Sequence, residues 1–188
     1  MPPYTQQKPE DFKPYLRNKE KLNRDWVIPG MEGFEHRIGG LEKDALTGNI
    51  SHDGKNHQLM THLRQEKVDR IAQYIPELVV EGDVDADLLV VGWGGTYGHL
   101  LTAVNELNKS GKKVALAHFN YIMPLPRNSE EILSKYKKIV VCELNMGQFV
   151  GYLRMQFPMY TYNQYNKVQG QPFTVEELKN EFVKLIEA

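Results

Sequence analysis

Leu88–Gly98 reads LLVVGWGGTYG, an unbroken apolar run that leads into a glycine-rich turn. An apolar run without alternation predicts a strand buried on both faces, here Leu88 to Trp93. The next segment, from Thr96 to Lys109, has a helical pattern and closes at Gly111. Because a buried strand followed by a helix is the unit of a parallel sheet, this stretch indicates an α/β fold.

The same alternation continues to the C-terminus. It predicts strands at 113–117, 138–144 and 159–165, and helices at 129–136, 147–156 and 174–188. Thr174, with Glu177 three residues later, forms a capping box that marks the start of the last helix. Residues 81–188 are therefore predicted to form a three-layer α/β sandwich with a mostly parallel sheet.

The N-terminal part of the chain has a different character. Residues 1–53 lack a sustained period, which predicts an irregular segment and interdomain loop. Residues 54–80 predict a connecting helix that ends near Ile75, followed by a linker. Within the irregular segment, residues 30–44 read GMEGFEHRIGGLEKD. A run rich in glycine and charge, without a period, is typical of a loop that presents polar groups.

Composition excludes several classes of function. The chain has 188 residues with 23 basic and 24 acidic side chains, so no nucleic-acid surface is predicted. No apolar stretch reaches the roughly 18 residues that span a membrane, and the N-terminus lacks a signal peptide's apolar core, which predicts a cytoplasmic protein. Cys142, the only cysteine, lies in an apolar run and is predicted to be a buried small side chain.

The turn after the first strand contains Gly94, Gly95 and Thr96, where dinucleotide folds hold a phosphate. The spacing misses the nucleotide fingerprint, because its third glycine would fall on Tyr97. No Gly-Lys-Ser/Thr sequence follows, so the turn is not a P-loop either. A tight turn packed against a neighbour is the better interpretation, and a ligand at Gly92–Gly98 is kept as an alternative.

Glu143 and Asn145 place a carboxylate and an amide where a strand ends and a helix begins. That edge is where α/β sheets bind partners, but capping of the following helix by Asn145 explains the pattern about as well. The histidines His52, His57 and His62 lack the spacing of a metal site, so no metal ligand is predicted.

Five blocks of the sequence together resemble the alpha subunits of 2-oxoacid:ferredoxin oxidoreductases, most closely those of the 2-oxoglutarate branch. The blocks are Gly33–Asp44 with Leu46–Asn49, Leu88–Gly98, Leu116–Pro126, Glu143–Gln148 and Tyr165–Phe173. They follow the family's order over residues 24–188. The resemblance implies that the chain is the C-terminal part of such a subunit, as a fragment or a split gene product, and that its α/β part is the transketolase C-terminal-like domain.

The resemblance also implies an enzyme that decarboxylates a 2-oxoacid on thiamine diphosphate, reduces ferredoxin and forms an acyl-CoA. The family's pyrimidine-domain motif, its Gly-Asp-Gly motif and its cluster cysteines are missing here. Thiamine diphosphate, Mg²⁺ and iron–sulfur clusters are therefore expected in the full complex, with the thiamine-pyrimidine-binding domain and the beta subunit as partners. This chain alone is expected to bind none of them and to be inactive, and the oxoacid is left open.

In that setting the resemblance gives a role to Glu35, His36 and Arg37. These side chains are expected to reach toward the pyrimidine domain, near the substrate carboxylates or the subunit boundary. Arg37 would pair with a carboxylate in a two-pronged contact. Two hypotheses follow, a structural and interface domain of this oxidoreductase or, alternatively, a stand-alone α/β module that binds an anionic or nucleotide ligand at Gly92–Gly98.

Overall fold

The computed structural model describes residues 4–188, which divide into two compact units. The first unit ends at Tyr74, and the second consists of Ile75–Ala188. Among the described residues, no helix combines the length and the apolar character needed to cross a membrane.

The first unit is irregular up to its one α-helix, α1 (Gly54–Ile71). Asp53 caps this helix, because its side chain accepts a hydrogen bond from the Lys55 amide at 3.0 Å. The helix ends four residues earlier than the predicted Ile75, since residues 72–74 close a turn whose amides bond to the carbonyls of Asp69 and the two residues after it. Met60 is its only buried residue.

The second unit alternates strands and helices, as predicted. Its elements are β1 (Val80–Gly82), β2 (Leu88–Trp93), α2 (Tyr97–Lys109), β3 (Val114–Phe119), α3 (Ser129–Ser134), β4 (Ile139–Glu143), α4 (Gln148–Gln156), β5 (Asn163–Asn166) and α5 (Val175–Glu187). The Thr174 hydroxyl accepts from the Glu177 amide at 3.2 Å, which confirms the predicted start of the last helix.

The five strands form one sheet in the order β1-β3-β2-β4-β5. β1 runs antiparallel to β3, and the other neighbours are parallel. In the central register, Leu89 lies opposite Ala115 on one side and Ile139 on the other. Parallel strands end at the same edge of a sheet, so the polar residues that follow β2, β3 and β4 share one edge.

Both faces of the sheet are covered. Leu88 and Val90 of β2 belong to a buried cluster with α2 and α5, whereas Leu89 and Val91 belong to a second cluster with α3 and α4. The predicted three-layer α/β sandwich with a mostly parallel sheet is confirmed. Cys142 of β4 is fully buried in the first of these clusters, and burial raises the pKa of its thiol, as expected of a packed small side chain.

Two edge strands differ from the prediction. β1 was not predicted, because only Val80 of its three residues is strongly apolar and the segment begins an acidic run. β5 begins at Asn163 rather than at residue 159, since it is a polar edge strand that pairs through its backbone with β4. An edge strand exposed in this way lacks the apolar pattern by which the buried strands are recognised.

Candidate functional site

The glycine-rich loop of the first unit places its three candidate side chains in different surroundings. Glu35 is exposed, and the half-buried His36 is held by a hydrogen bond of 2.9 Å from Nδ1 to the Phe34 carbonyl. The ring of His36 also meets that of Phe12 edge-on, with centroids 5.4 Å apart. Arg37 is exposed, and it makes no hydrogen bond or ion pair with residues 4–188. The loop therefore orders His36 and leaves the guanidinium of Arg37 available.

Glu35 and His36 line an open cleft of about 610 Å³ in the first unit, and Arg37 does not. Much of the rest of the lining is apolar and exposed, including Trp26 at 51% and Ile38 at 83% of their accessible surface. Large apolar side chains exposed together beside polar groups are typical of a surface that contacts another protein.

A second group on the loop was missed by sequence reasoning. Glu42 accepts hydrogen bonds from Arg64 at 3.3 Å and from His57 at 2.8 Å. These two bonds lower the pKa of the Glu42 carboxyl to about 2. His57 and Arg64 are seven residues apart on α1, which is about two helical turns. This spacing places both side chains on one face of the helix, and it was the signal in the sequence that could have shown that they act together.

In the second unit, Gly94, Gly95 and Thr96 form a single 3₁₀ turn between β2 and α2. Thr96 is buried, and its hydroxyl donates a hydrogen bond to the Trp93 carbonyl at 2.9 Å. The hydroxyl therefore stabilises the turn itself. A Cβ atom added at Gly92 would lie 2.2 Å from Cδ1 of Leu100 in α2. Gly92 is therefore packed tightly against α2, whereas a Cβ added at Gly94, Gly95 or Gly98 would meet nothing within 4 Å. The interpretation of the whole turn as a packed one stays a prediction.

Glu143 is fully buried at the end of β4, and both of its carboxylate oxygens accept hydrogen bonds. Oε2 accepts from the Phe149 amide at 2.9 Å and from the Trp93 indole at 3.3 Å, and Oε1 accepts from the Val150 amide at 2.9 Å. The two amides belong to the first turn of α4, where a negative charge is favoured by the helix dipole. The indole bond joins the end of β4 to the end of β2.

Asn145 caps the same turn. Its Oδ1 accepts from the Gly147 amide at 2.7 Å and from the Gln148 amide at 3.2 Å. Of the two roles considered for Glu143 and Asn145, the geometry favours capping, because both side chains bond to the chain's own N–H groups. Ligand binding by either residue stays a prediction.

The sheet edge also carries a cleft of about 590 Å³ that includes Gly94 together with Glu81, Tyr97 and His118. The Tyr97 hydroxyl donates to Glu81 at 3.1 Å, which raises the pKa of Tyr97. His118 lies with its ring centroid 5.0 Å from that of Tyr97, and burial lowers its pKa. A carboxylate beside an imidazole whose pKa is lowered does not favour an anion here.

Glu81 and His118 were not among the predicted site residues. Glu81 was hidden in the acidic run before β2, and His118 follows directly on the apolar part of β3. Its position at the end of a buried parallel strand was the available signal. Over residues 4–188, no three His, Cys, Asp or Glu side chains come close enough together to hold a metal ion.

Comparison with known proteins agrees with this fold. Residues 86–178 match the family described as pyruvate:ferredoxin oxidoreductase core domain II. The 2-oxoglutarate oxidoreductase subunit KorA of Mycobacterium tuberculosis is 43% identical over 182 residues, which are 95% of this chain and 27% of that protein. Subunit alpha of 2-oxoacid:ferredoxin oxidoreductase 1 of Aeropyrum pernix is 31% identical over 74% of this chain and 23% of its own length.

A solved structure extends the likeness to both units. The 2-oxoglutarate:ferredoxin oxidoreductase from Magnetococcus marinus, solved with 2-oxoglutarate, coenzyme A and succinyl-CoA bound, matches with a TM-score of 0.83 and 26% identity, over 98% of this chain and 32% of that chain. The present chain thus spans about a quarter of the length of the curated relatives above. It belongs to the family of 2-oxoacid:ferredoxin oxidoreductase alpha subunits and corresponds to the part that contains core domain II.

Proposed function

We propose that this chain serves as the C-terminal part of the alpha subunit of a 2-oxoacid:ferredoxin oxidoreductase, with 2-oxoglutarate as the oxoacid. The observation that carries the proposal is the 43% identity to a 2-oxoglutarate oxidoreductase subunit over 95% of the chain. In the complex, a 2-oxoacid would be decarboxylated oxidatively with thiamine diphosphate, electrons would pass to ferredoxin, and an acyl-CoA would form.

Within that enzyme the chain would act as a structural and interface domain. Both faces of the sheet in the second unit are covered by helices. At the edge of that sheet, Glu143 and Asn145 accept hydrogen bonds from N–H groups of the chain itself. Its first unit instead offers exposed side chains, namely the apolar lining of the Glu35 and His36 cleft and the guanidinium of Arg37. This contrast supports contact with the thiamine-pyrimidine-binding domain and the beta subunit through the loop.

The cofactors of the reaction would be held by those partners. The described residues bring together no group of carboxylates, imidazoles and thiolates that fits a metal ion, and Cys142 is buried in the core. The described residues therefore do not fit Mg²⁺ or an iron–sulfur cluster, and we assign no step of that chemistry to this chain. Its own contribution would be to position charged groups of the loop.

The loop is tested by alanine substitution in the assembled oxidoreductase. We expect Arg37→Ala to lower kcat/KM for 2-oxoglutarate about tenfold or more, because a two-pronged charged contact to a carboxylate is lost. His36→Ala is expected to act in the same direction by loosening the loop, and Arg37→Lys to recover part of the loss. Steady-state kinetics of each purified complex measures the effect.

Glu32→Ala is the matched control for these variants. Glu32 is an exposed charged residue of the same loop, and it does not line the cleft. We expect its kcat/KM to match that of the unaltered enzyme. If His36→Ala and Arg37→Ala also leave both kcat and KM unchanged, the loop is only a linker and the interface role assigned to it is wrong.

A further inference from the structure

A second open cleft of the first unit, about 580 Å³ in volume, is lined by an excess of positive charge. We call it the cation cleft. Five basic side chains line it, Arg17, Arg24, Lys43, Arg64 and Lys67, together with His57 and a single carboxylate, that of Glu42. A concave site lined mainly by positive charges has a positive electrostatic potential, because the potentials of its side chains add together. Such a site attracts an anion.

The only carboxylate of the cleft is already engaged. Glu42 accepts from Arg64 at 3.3 and 3.4 Å and from His57 at 2.8 Å, and its pKa is held at about 2. It therefore stays ionised and compensates Arg64. Arg17, Arg24, Lys43 and Lys67 form no ion pair with any carboxylate among the described residues. Four cations of the cleft thus lack an ion-pair partner within residues 4–188.

These cations are held in place by neutral groups. Arg17 donates to the carbonyls of Tyr15 and Ala45 at 3.3 and 3.4 Å, and Arg24 donates to the Pro14 carbonyl at 3.3 Å. Both guanidinium carbons also lie over the Tyr15 ring, 5.8 Å and 4.2 Å from its centroid. Two guanidiniums on one aromatic ring repel each other, and the ring only partly offsets that repulsion.

Lys43 adds a buried charge to the same place. Only 3% of its surface is exposed, and its ammonium group donates to the carbonyls of Gly39 and Leu41 in the glycine-rich loop. Burial, followed by the charge of Arg24, lowers the pKa of the half-buried Arg17. Desolvated cations without an anionic partner are costly, so a bound anion would stabilise this arrangement.

We propose that the cation cleft binds an oxyanion of the phosphate class, either as free inorganic diphosphate or as the phosphate groups of an organic ligand. Arginine forks and lysine ammonium groups together match the several oxygens and the multiple charge of such a group. A single carboxylate would neutralise fewer of these charges. This proposal is independent of the oxidoreductase function, since it rests only on the charges of the first unit.

The test is a calorimetric titration of the full chain with inorganic diphosphate at low ionic strength. We expect saturable binding of one diphosphate per chain. Arg24→Gln and Lys67→Gln, both at exposed positions, should each raise Kd about fivefold to tenfold, because one close positive charge is lost. Lys55→Gln is the matched control, an exposed lysine on the same helix outside the cleft, and its Kd should be unchanged.

Further titrants distinguish the sources of the anion. Tighter binding of ADP than of diphosphate assigns the cleft to an organic phosphate, and equal or weaker binding assigns it to the inorganic group. Succinate, a dicarboxylate, should bind at least about tenfold more weakly than diphosphate. Absence of saturable binding, equal affinity for succinate, or the same loss in Lys55→Gln as in Lys67→Gln would each overturn the proposal.

Discussion

Replacing Glu143 by alanine is expected to lower the free energy of unfolding by about 3–5 kcal/mol, because two buried backbone N–H groups and the partly buried Trp93 indole lose their acceptor. The carboxylate is completely buried and accepts from the amides of Phe149 and Val150 and from the indole of Trp93. Without it, the first turn of α4 and the end of β2 lose their shared acceptor. Urea denaturation followed by circular dichroism measures the change.

Two further variants test whether the loss of stability comes from the missing acceptor of Glu143. Glu143→Gln keeps the size but turns one acceptor into a donor facing an N–H group, so we expect a loss of about 2–3 kcal/mol. Glu130→Ala, at an exposed position in the first turn of α3, should change stability by no more than about 0.5 kcal/mol. A loss below about 1 kcal/mol in Glu143→Ala would contradict the capping role and favour ligand binding at this edge.

Gly92→Ala is expected to destabilise the second unit by about 2–3 kcal/mol, because the new methyl group overpacks the β2–α2 contact. Its Cβ would lie 2.2 Å from Cδ1 of Leu100 and 2.9 Å from Oγ1 of Thr96. Leu100 is fully buried, so a shift of its side chain would disturb the packing of α2 on the sheet. The same denaturation experiment applies.

Gly98→Ala is the matched control for Gly92→Ala. Gly98 lies inside α2, and an added Cβ would meet nothing within 4 Å. Alanine is the better helix former, so this variant should gain about 0.5–1 kcal/mol. Equal effects of the two substitutions would contradict the claim that the structure requires glycine at position 92 because of close packing against Leu100.

The buried part of the fold could be predicted from the sequence. β2 and β4 are apolar along almost their whole length, and each is followed by a helix, which leaves few alternatives to a parallel sheet. The start of α5 could be placed to within a residue because Thr174 and Glu177 form a capping box. In these segments the hydrophobic pattern and the local capping chemistry point to the same structure.

The edges of the sheet could not be predicted in the same way. β1 and β5 are held by backbone pairing with β3 and β4, and backbone pairing leaves little trace in side-chain pattern. The pairing of Val80 with Ala117 joins residues far apart in the chain, so no local window contains it. The acidic run at residues 81–87 therefore concealed a strand.

The candidate site residues could likewise be predicted only in part. The sequence correctly predicted that Glu143 and Asn145 lie where a strand ends and a helix begins. It could not distinguish capping from ligand binding, because that depends on which N–H groups lie within hydrogen-bond distance. Glu42 with His57 and Arg64, and Glu81 with Tyr97, are pairs made across loops. Such pairs require the three-dimensional structure, since the partners are separated by 15 to 22 residues.

The most direct test of the proposed function is CoA-dependent reduction of ferredoxin by 2-oxoglutarate, measured with the chain alone and in complex. The purified chain, supplied with thiamine diphosphate and Mg²⁺, is expected to show no turnover above background. Joined with the thiamine-pyrimidine-binding domain and the beta subunit of the same oxidoreductase, it should support turnover that the partners lack without it. Turnover by the purified chain alone would contradict its role as an interface domain.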